Sequence, residues 1–316
     1  MDHFPGSPDS PTDLPRRFCP ACGQWTSHAF RTGPGKRPDA RCPHCKSLER
    51  QRFLAVIVSC LKPAIGPVGT LLDIAPAPCT TAVLRDLDPE RHVRMDIGYD
   101  GRGVDLLGSV TAIPLASGSV DMLVCYHVLE HVPDDAAALR ELARVLRPGG
   151  VGIVQVPIRF GLETDEDPDA DVAERVRRFG QADHVRYYGD DFEQRLVDQG
   201  LAYFRISPRS LVGERVCRVL GLIPDEWVWI VHSTVHEGAG TVAPLVVPPP
   251  TGLTRALDAV VEAWTEDLVR LTHARRRVRR LRSELDVRSR TVAARLRARV
   301  PARLTGHPMG RRRRSA

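Results

Sequence analysis

SVDMLVCYHVLEHVPDDAAALRELARVLRPGGVGIVQVP, residues 119–157, carries a strand, a helix and a second strand in 39 residues. The run VDMLVCY (120–126) is apolar almost throughout, as a strand covered on both faces must be. DDAAALRELARVL (134–146) then spaces its apolar residues helically, and Arg147-Pro148-Gly149-Gly150 is expected to stop it. VGIVQVP (151–157) returns to a buried strand. A strand, a crossover helix and a strand make a parallel pair.

The same alternation extends outward in both directions. Upstream, TLLDIA (70–75) and HVRMDI (92–97) read as strands around a helix at TTAVLRDL (80–87), with a short third strand near Val104–Leu107. Downstream, DDFEQRLVDQG (190–200) reads as a helix ended by glycine, and AYFRIS (202–207) and VWIVHSTV (228–235) as late strands. The expected fold is α/β, a Rossmann-like doubly wound sheet over residues 69–241, with 158–189 a polar insertion on the substrate side. Ahead of it lie a segment 1–17 expected to be disordered, a cysteine-bearing knuckle at 18–46 and a connecting stretch at 47–68 whose helix (47–62) reads as amphipathic. Behind it come a Pro-rich linker at 242–252, a heptad and Arg-rich helix at 253–300, and a basic disordered tail at 301–316.

In a doubly wound sheet, ligands bind beyond the carboxyl ends of the strands where the strand order reverses. That rule selects Asp73 to Ala77, Asp96, Ser109 to Pro114, and Cys125 to His127. An acid ending the second strand, as Asp96 does, can accept both ribose hydroxyls of an adenosine ligand.

The run 119–157 resembles the class I S-adenosylmethionine-dependent methyltransferases of the methyltransferase type 11 group, and RFGQADHVRYYGDDF (178–192) resembles a segment of a bacterial subgroup whose members also begin with paired cysteines. The resemblance spans roughly residues 19–235, about two-thirds of the chain. It implies S-adenosylmethionine as cofactor, with Asp73 and Ala75 at the methionine end, Asp96 on the ribose, Ser109 and Val110 flanking the adenine, and the Cys125–Tyr126–His127 backbone beside the sulfonium. The chain departs from the family twice. Its first loop, Asp73-Ile-Ala-Pro-Ala-Pro-Cys79, has no glycine, and Ser109 stands where the family has an acid.

Methyl transfer to a hydroxyl needs a base, and His131 and His127 at the pocket mouth are the candidates. The bland alternative is that they only cap or pack against the helix. His184, Arg186 and Tyr188 in the insertion are expected to touch the acceptor, against an alternative of plain surface solvation. His127-Val-Leu-Glu130-His131 also matches a zinc-peptidase pattern, His-x-x-Glu-His, but it follows a buried parallel strand, which argues against that reading. Cys125 reads as a packed strand-end thiol.

Cys19-x-x-Cys22 and Cys42-x-x-Cys45 match a four-thiolate structural zinc site, which leaves no open coordination position. The composition, 42% hydrophobic and 27% charged, is that of a soluble enzyme. The first residues lack a basic region followed by an apolar one, so a cytoplasmic location is expected, where clustered cysteines bind metal rather than pair. The net charge of +6 is uneven. Residues 251–316 hold 18 Arg against 6 acids, leaving the first 250 residues at −6.

These features read together as a zinc-bearing methyltransferase acting on a small-molecule or glycan acceptor. RNA methylation is a second reading, suggested by the knuckle and the basic tail; the acidic body and the absence of any asparagine argue against it. The third reading is a catalytically inactive assembly module. Leu257, Val261, Trp264, Leu268 and Leu271 form a heptad seam suited to self-association through 253–290, or to folding back on the domain. The Arg-rich face beyond them could hold nucleic acid or acidic lipid, a less favoured reading because such a face is usually just solvated.

Overall fold

The computed structural model describes residues 17–26, 28–62, 65–98 and 103–235. The expected linker, heptad helix and basic tail, and nearly all of the expected disordered N-terminal segment, lie outside the described residues. The N-terminal part holds strands β1 (Phe18–Cys19) and β2 (Gln24–Trp25) and helix α1 (Glu49–Leu61). Then follow β3 (Thr70–Ile74), α2 (Pro78–Arg85), β4 (Arg91–Asp96), β5 (Leu106–Leu107), β6 (Val120–Tyr126), α3 (Asp135–Val145) and β7 (Leu146–Gln155). The insertion contributes β8 (Asp165–Glu166), α4 (Val172–Phe179) and β9 (Arg186–Tyr187). The domain ends with α5 (Phe192–Asp198), β10 (Leu201–Ile206), α6 (Pro208–Leu220) and β11 (Val228–Ser233).

Seven strands form one sheet in the order β10-β11-β7-β6-β3-β4-β5. The chain builds outward from β3 to one side, then returns to place β6 on its other side, with Ile74 opposite Cys125. This reversal opens a cleft at the carboxyl ends of β3 and β6. The Leu123, Cys125, Leu139, Leu142, Val154 and Trp229 side chains are fully buried in the core over which the sheet and its helices close.

The structure adds three features that the sequence does not announce. The sheet is mixed, because β11 runs antiparallel to both β7 and β10. VWIVHS is apolar enough to be buried on both faces, and such a run carries no sign of its direction. Helix α6 reads poorly from sequence because Gly213, at φ +73°, interrupts it and breaks its periodicity. The Arg147–Gly150 stretch is not a turn after α3: the helix ends at Val145 and β7 begins at Leu146, its first residues forming an irregular join to β6.

Helix α1 is not amphipathic either. Its residues from Arg52 to Val58 are all buried, as expected of a helix covered on every side. Arg52 explains how a charge survives there. Its Nε donates to Leu220 O at 3.0 Å, Nη1 to Ala40 O and Ser47 O at 2.8 Å each, and Nη2 to Gly221 O, while its Cζ lies 4.2 Å from the Phe30 ring centroid. One guanidinium thus joins the cysteine-bearing segment, α1 and the end of α6. Gly221 makes this approach possible, with φ +60° and Phe30 so near that a Cβ would lie 2.6 Å from its ring.

Arg52→Met should lower stability by about 3 kcal/mol, because four buried carbonyls lose a charged donor at once. Urea unfolding followed by fluorescence measures this; an unchanged midpoint would mean that the clamp contributes little.

Candidate active site and cysteine cluster

Two residues at the cleft hold a backbone that side chains disfavour. Ala75, just after β3, has φ +52°, and His127, just after β6, has φ +54°. Each is pinned by a backbone bond to a neighbouring strand, Ala75 N to Met95 O at 2.8 Å and His127 N to Gln155 O at 2.9 Å. A left-handed backbone costs an L-residue roughly 1–2 kcal/mol, and such strain collects at ligand sites. Ala75 occupies the position of the family's first loop glycine and keeps the conformation that glycine adopts readily.

The expected cofactor residues divide into those that face the cleft and those that support it. Asp96 closes β4 and is nearly buried, with Oδ1 accepting from Ile97 N at 2.7 Å. In the sequence Ile97 merely prolongs a strand pattern, yet it is 82% exposed beside Asp96. Asp73 is only 2% exposed, and its Oδ2 accepts from Thr81 Oγ1 at 3.1 Å and lies 3.5 Å from His92 Nε2. That oxygen faces α2 and β4. Ser109 is exposed and bonds to Thr111 Oγ1 at 2.7 Å, whereas the Val110 side chain is buried. Tyr126 turns its hydroxyl inward, where burial raises its pKa well above the usual value. Cys125 is fully buried and its thiol pKa is pushed up by that burial, so it remains a packed thiol.

Beyond β6 a 3-10 turn, Leu129–His131, gathers titratable groups. His127 Nδ1 lies 3.0 Å from Glu130 Oε1, and Glu130 is fully buried. His131 Nδ1 meets Asp183 O at 3.1 Å, and its ring stands edge-on to His184, 4.6 Å between centroids. His184 comes from the insertion and is 3% exposed; burial lowers its pKa and favours the neutral ring. These four side chains, 57 residues apart at the extremes in sequence, meet at one corner of the cleft.

Arg186 and Tyr188, expected to touch an acceptor, are both buried and neither reaches the surface. Arg186 donates to Leu129 O at 2.9 Å, to Val132 O, to Pro133 O at 2.9 Å and to Glu166 Oε2 at 3.0 Å. The Tyr188 hydroxyl donates to Asp135 Oδ2 at 2.9 Å. The Arg195 guanidinium, with Arg186, holds the Glu166 carboxyl below its usual range. This network supports the 129–133 turn from behind. The polar look of the insertion sequence gives no sign that these residues would be internal.

In the N-terminal segment, the Cys19, Cys22, Cys42 and Cys45 sulfurs lie within 4.8 Å of one another. Sγ of Cys19 and Cys45 are 3.7 Å apart and those of Cys22 and Cys42 are 3.9 Å apart. Tetrahedral thiolates at about 2.3 Å from a shared ion stand about 3.8 Å from one another, so the cluster has the dimensions of a metal site.

The sheet order, with its antiparallel β11 between β7 and β10, defines the Rossmann-like fold of the class I methyltransferases. Residues 61–154, which include the strand ends that bound the cleft, match a family model described as a methyltransferase domain. A probable S-adenosylmethionine-dependent methyltransferase of Mycolicibacterium smegmatis is 38% identical over 77 residues, 24% of this chain and 27% of that protein. An uncharacterized 37.1 kDa protein in transposon TN4556 of Streptomyces fradiae is 35% identical over 121 residues, 37% of this chain and 35% of its own. A ubiquinone biosynthesis O-methyltransferase of Xanthomonas oryzae pv. oryzae is 37% identical over 86 residues, 27% and 32% of the two chains. The chain thus spans about a quarter to a third of the length of these curated relatives. A geranyl diphosphate methyltransferase solved in complex with S-adenosylmethionine aligns at a TM-score of 0.41 and 15% identity, covering 60% of this chain and 88% of that one. Among the described residues no helix is long and apolar enough to cross a membrane.

The backbone at Ala75 generates a prediction of unusual sign. An Ala→Gly change inside a helix or strand costs roughly 0.5–1 kcal/mol, but at a left-handed position it relieves strain. Ala75→Gly should therefore stabilise the protein by about 1 kcal/mol in thermal or urea unfolding. A loss of the ordinary size would show that Ala75 is not strained in solution.

Proposed function

We propose that this protein is an S-adenosylmethionine-dependent methyltransferase acting on a hydroxyl of a small-molecule or glycan acceptor, with a structural zinc ion in its four-cysteine cluster. The observation that carries the reading is the pair of strained residues, Ala75 and His127, at the ends of the two strands that flank the switch point of the sheet, with Asp96 and the exposed Ile97 at the end of the neighbouring β4. The residues suit an adenosine ligand: Asp96 offers a carboxylate for ribose hydroxyls, and Ile97 an apolar face of the kind a purine ring covers. Asp73 ties the end of β3 to α2 through Thr81.

The bound cofactor supplies a methyl group on a positively charged sulfur, so transfer forms an oxygen–carbon bond as the carbon–sulfur bond breaks and leaves the acceptor one proton to lose. Placing the acceptor oxygen in line is most of the protein's task. One imidazole is placed to take the proton: with its Nδ1 bonded to Glu130, the His127 ring is held with Nε2 as its basic nitrogen. The relative in Xanthomonas named as an O-methyltransferase supports an oxygen acceptor. The acidic body of the chain, −6 over its first 250 residues, weighs against RNA as acceptor.

Zinc in the cluster leaves no coordination position for chemistry, and its role is to fold the segment that Arg52 joins to the domain. Native mass spectrometry and calorimetry test both halves of the proposal. The purified chain should carry one zinc and bind one S-adenosylhomocysteine. Asp96→Ala should weaken that binding by about 1–3 kcal/mol, and Cys22→Ser/Cys45→Ser should lose the zinc. Folded protein that binds neither cofactor nor product would overturn the enzyme reading, and zinc retained by the double variant would move the metal elsewhere.

A further inference from the structure

The corner of the cleft beyond β6 contains more buried, uncompensated donor atoms than acid–base chemistry requires. Glu130 has no solvent exposure; Oε1 meets His127, and Oε2 has no hydrogen-bond partner among the described residues. His184 is nearly as buried, and its Nδ1 is likewise without a partner, as is Nε2 of His127. A buried polar atom left unpaired costs roughly 1–3 kcal/mol, more when charged. Several of them converging on one place point to something that binds there.

One ligand atom from each of Glu130, His131 and His184 lies within 4.8 Å of the others. The surroundings are those that orient metal ligands. A metal-bound imidazole almost always donates its other N–H to a carbonyl or carboxylate. His131 Nδ1 is held in this way by Asp183 O at 3.1 Å, with Asp183 Oδ2 at 3.3 Å, which leaves Nε2 free to ligate. The two segments that supply the ligands are joined by backbone bonds, Val185 N to Glu130 O at 2.9 Å, and by Arg186 on Leu129 O. Bringing three donors to about 2.1 Å from an ion needs only a modest further approach.

We propose that Glu130, His131 and His184 bind one divalent first-row transition ion, separate from the cysteine cluster, with the open coordination positions turned toward the acceptor. Two imidazoles and one carboxylate suit Mn2+, Fe2+ or Zn2+ and not the all-oxygen preference of Ca2+ or Mg2+. The ion's use is to hold the acceptor's hydroxyl oxygen and make its proton easier to lose, a role that rests on the methyltransferase reading; the binding site itself does not.

The test uses the full chain with zinc already in its cysteine cluster. Mn2+ alone is titrated in and the free aqueous ion followed by electron paramagnetic resonance; Zn2+ alone is then added to a second sample and counted by mass spectrometry. One further ion per chain is expected, bound about tenfold or more weakly in Glu130→Gln and in His131→Ala. His131 is partly exposed, so its variant keeps the fold even where the buried Glu130→Gln does not, and circular dichroism checks both. Failure of both metals to bind beyond the first zinc, or binding unaltered in the folded His131→Ala protein, overturns the site. Calorimetry with S-adenosylhomocysteine on the same samples separates the two claims. Product binding without a second metal sinks only this inference, and a second metal without product binding sinks only the methyltransferase reading.

Discussion

The buried guanidinium of Arg186 is the constraint on which the functional corner depends. A charge removed from water is costly unless it is both paired and hydrogen-bonded. Arg186 meets that requirement with Glu166 and with the carbonyls of Leu129, Val132 and Pro133. Those carbonyls belong to the turn that carries Glu130 and His131, and a single 3-10 turn has few internal bonds of its own to hold it. Because Arg186 lies two residues beyond His184, the same side chain brings the insertion's histidine against the turn. The insertion is therefore part of the site's framework, with its own helix capped by Asp171 and closed by Gly180 in the left-handed region.

A similar economy operates at the strand ends. The loop after β3 lacks the glycines that let a backbone approach a ligand, yet Ala75 adopts the glycine-like conformation and His127 does so on the adjacent strand. The surrounding sheet bonds hold both in place. What the loop gives up in glycine it retains in geometry, at a cost of roughly 1–2 kcal/mol per residue that the sheet absorbs. Asp73 contributes a bond from the end of β3 to Thr81 of α2.

The central strands β3, β4, β6 and β7 are legible because their apolar runs are long, and α3 because Asp134 caps a strong helical period by accepting from Ala137 N at 2.8 Å. The four cysteines are equally plain from their spacing. The direction of β11 was not legible, since pairing direction is a property of the connection and not of the strand's own composition. The burial of Arg186 and Tyr188 was hidden for a different reason: polar residues in a polar insertion look solvated until the partners that satisfy them, Leu129 to Pro133 and Asp135, are seen to be close. The exposure of Ile97 and the arrival of His184 beside Glu130 and His131 are likewise consequences of topology, which no local pattern encodes.

The central claim is that the reversal in strand order between β3 and β6 creates an adenosine-binding cleft bounded by Ala75, Asp96, Ile97 and His127. A crystal structure of the chain grown with saturating S-adenosylhomocysteine tests it most directly. The account predicts the ribose hydroxyls on the Asp96 carboxylate, the adenine against Ile97, and the amino-acid end over Ala75. A cleft closed by its own side chains, or the ligand bound with its ribose away from Asp96, would contradict it.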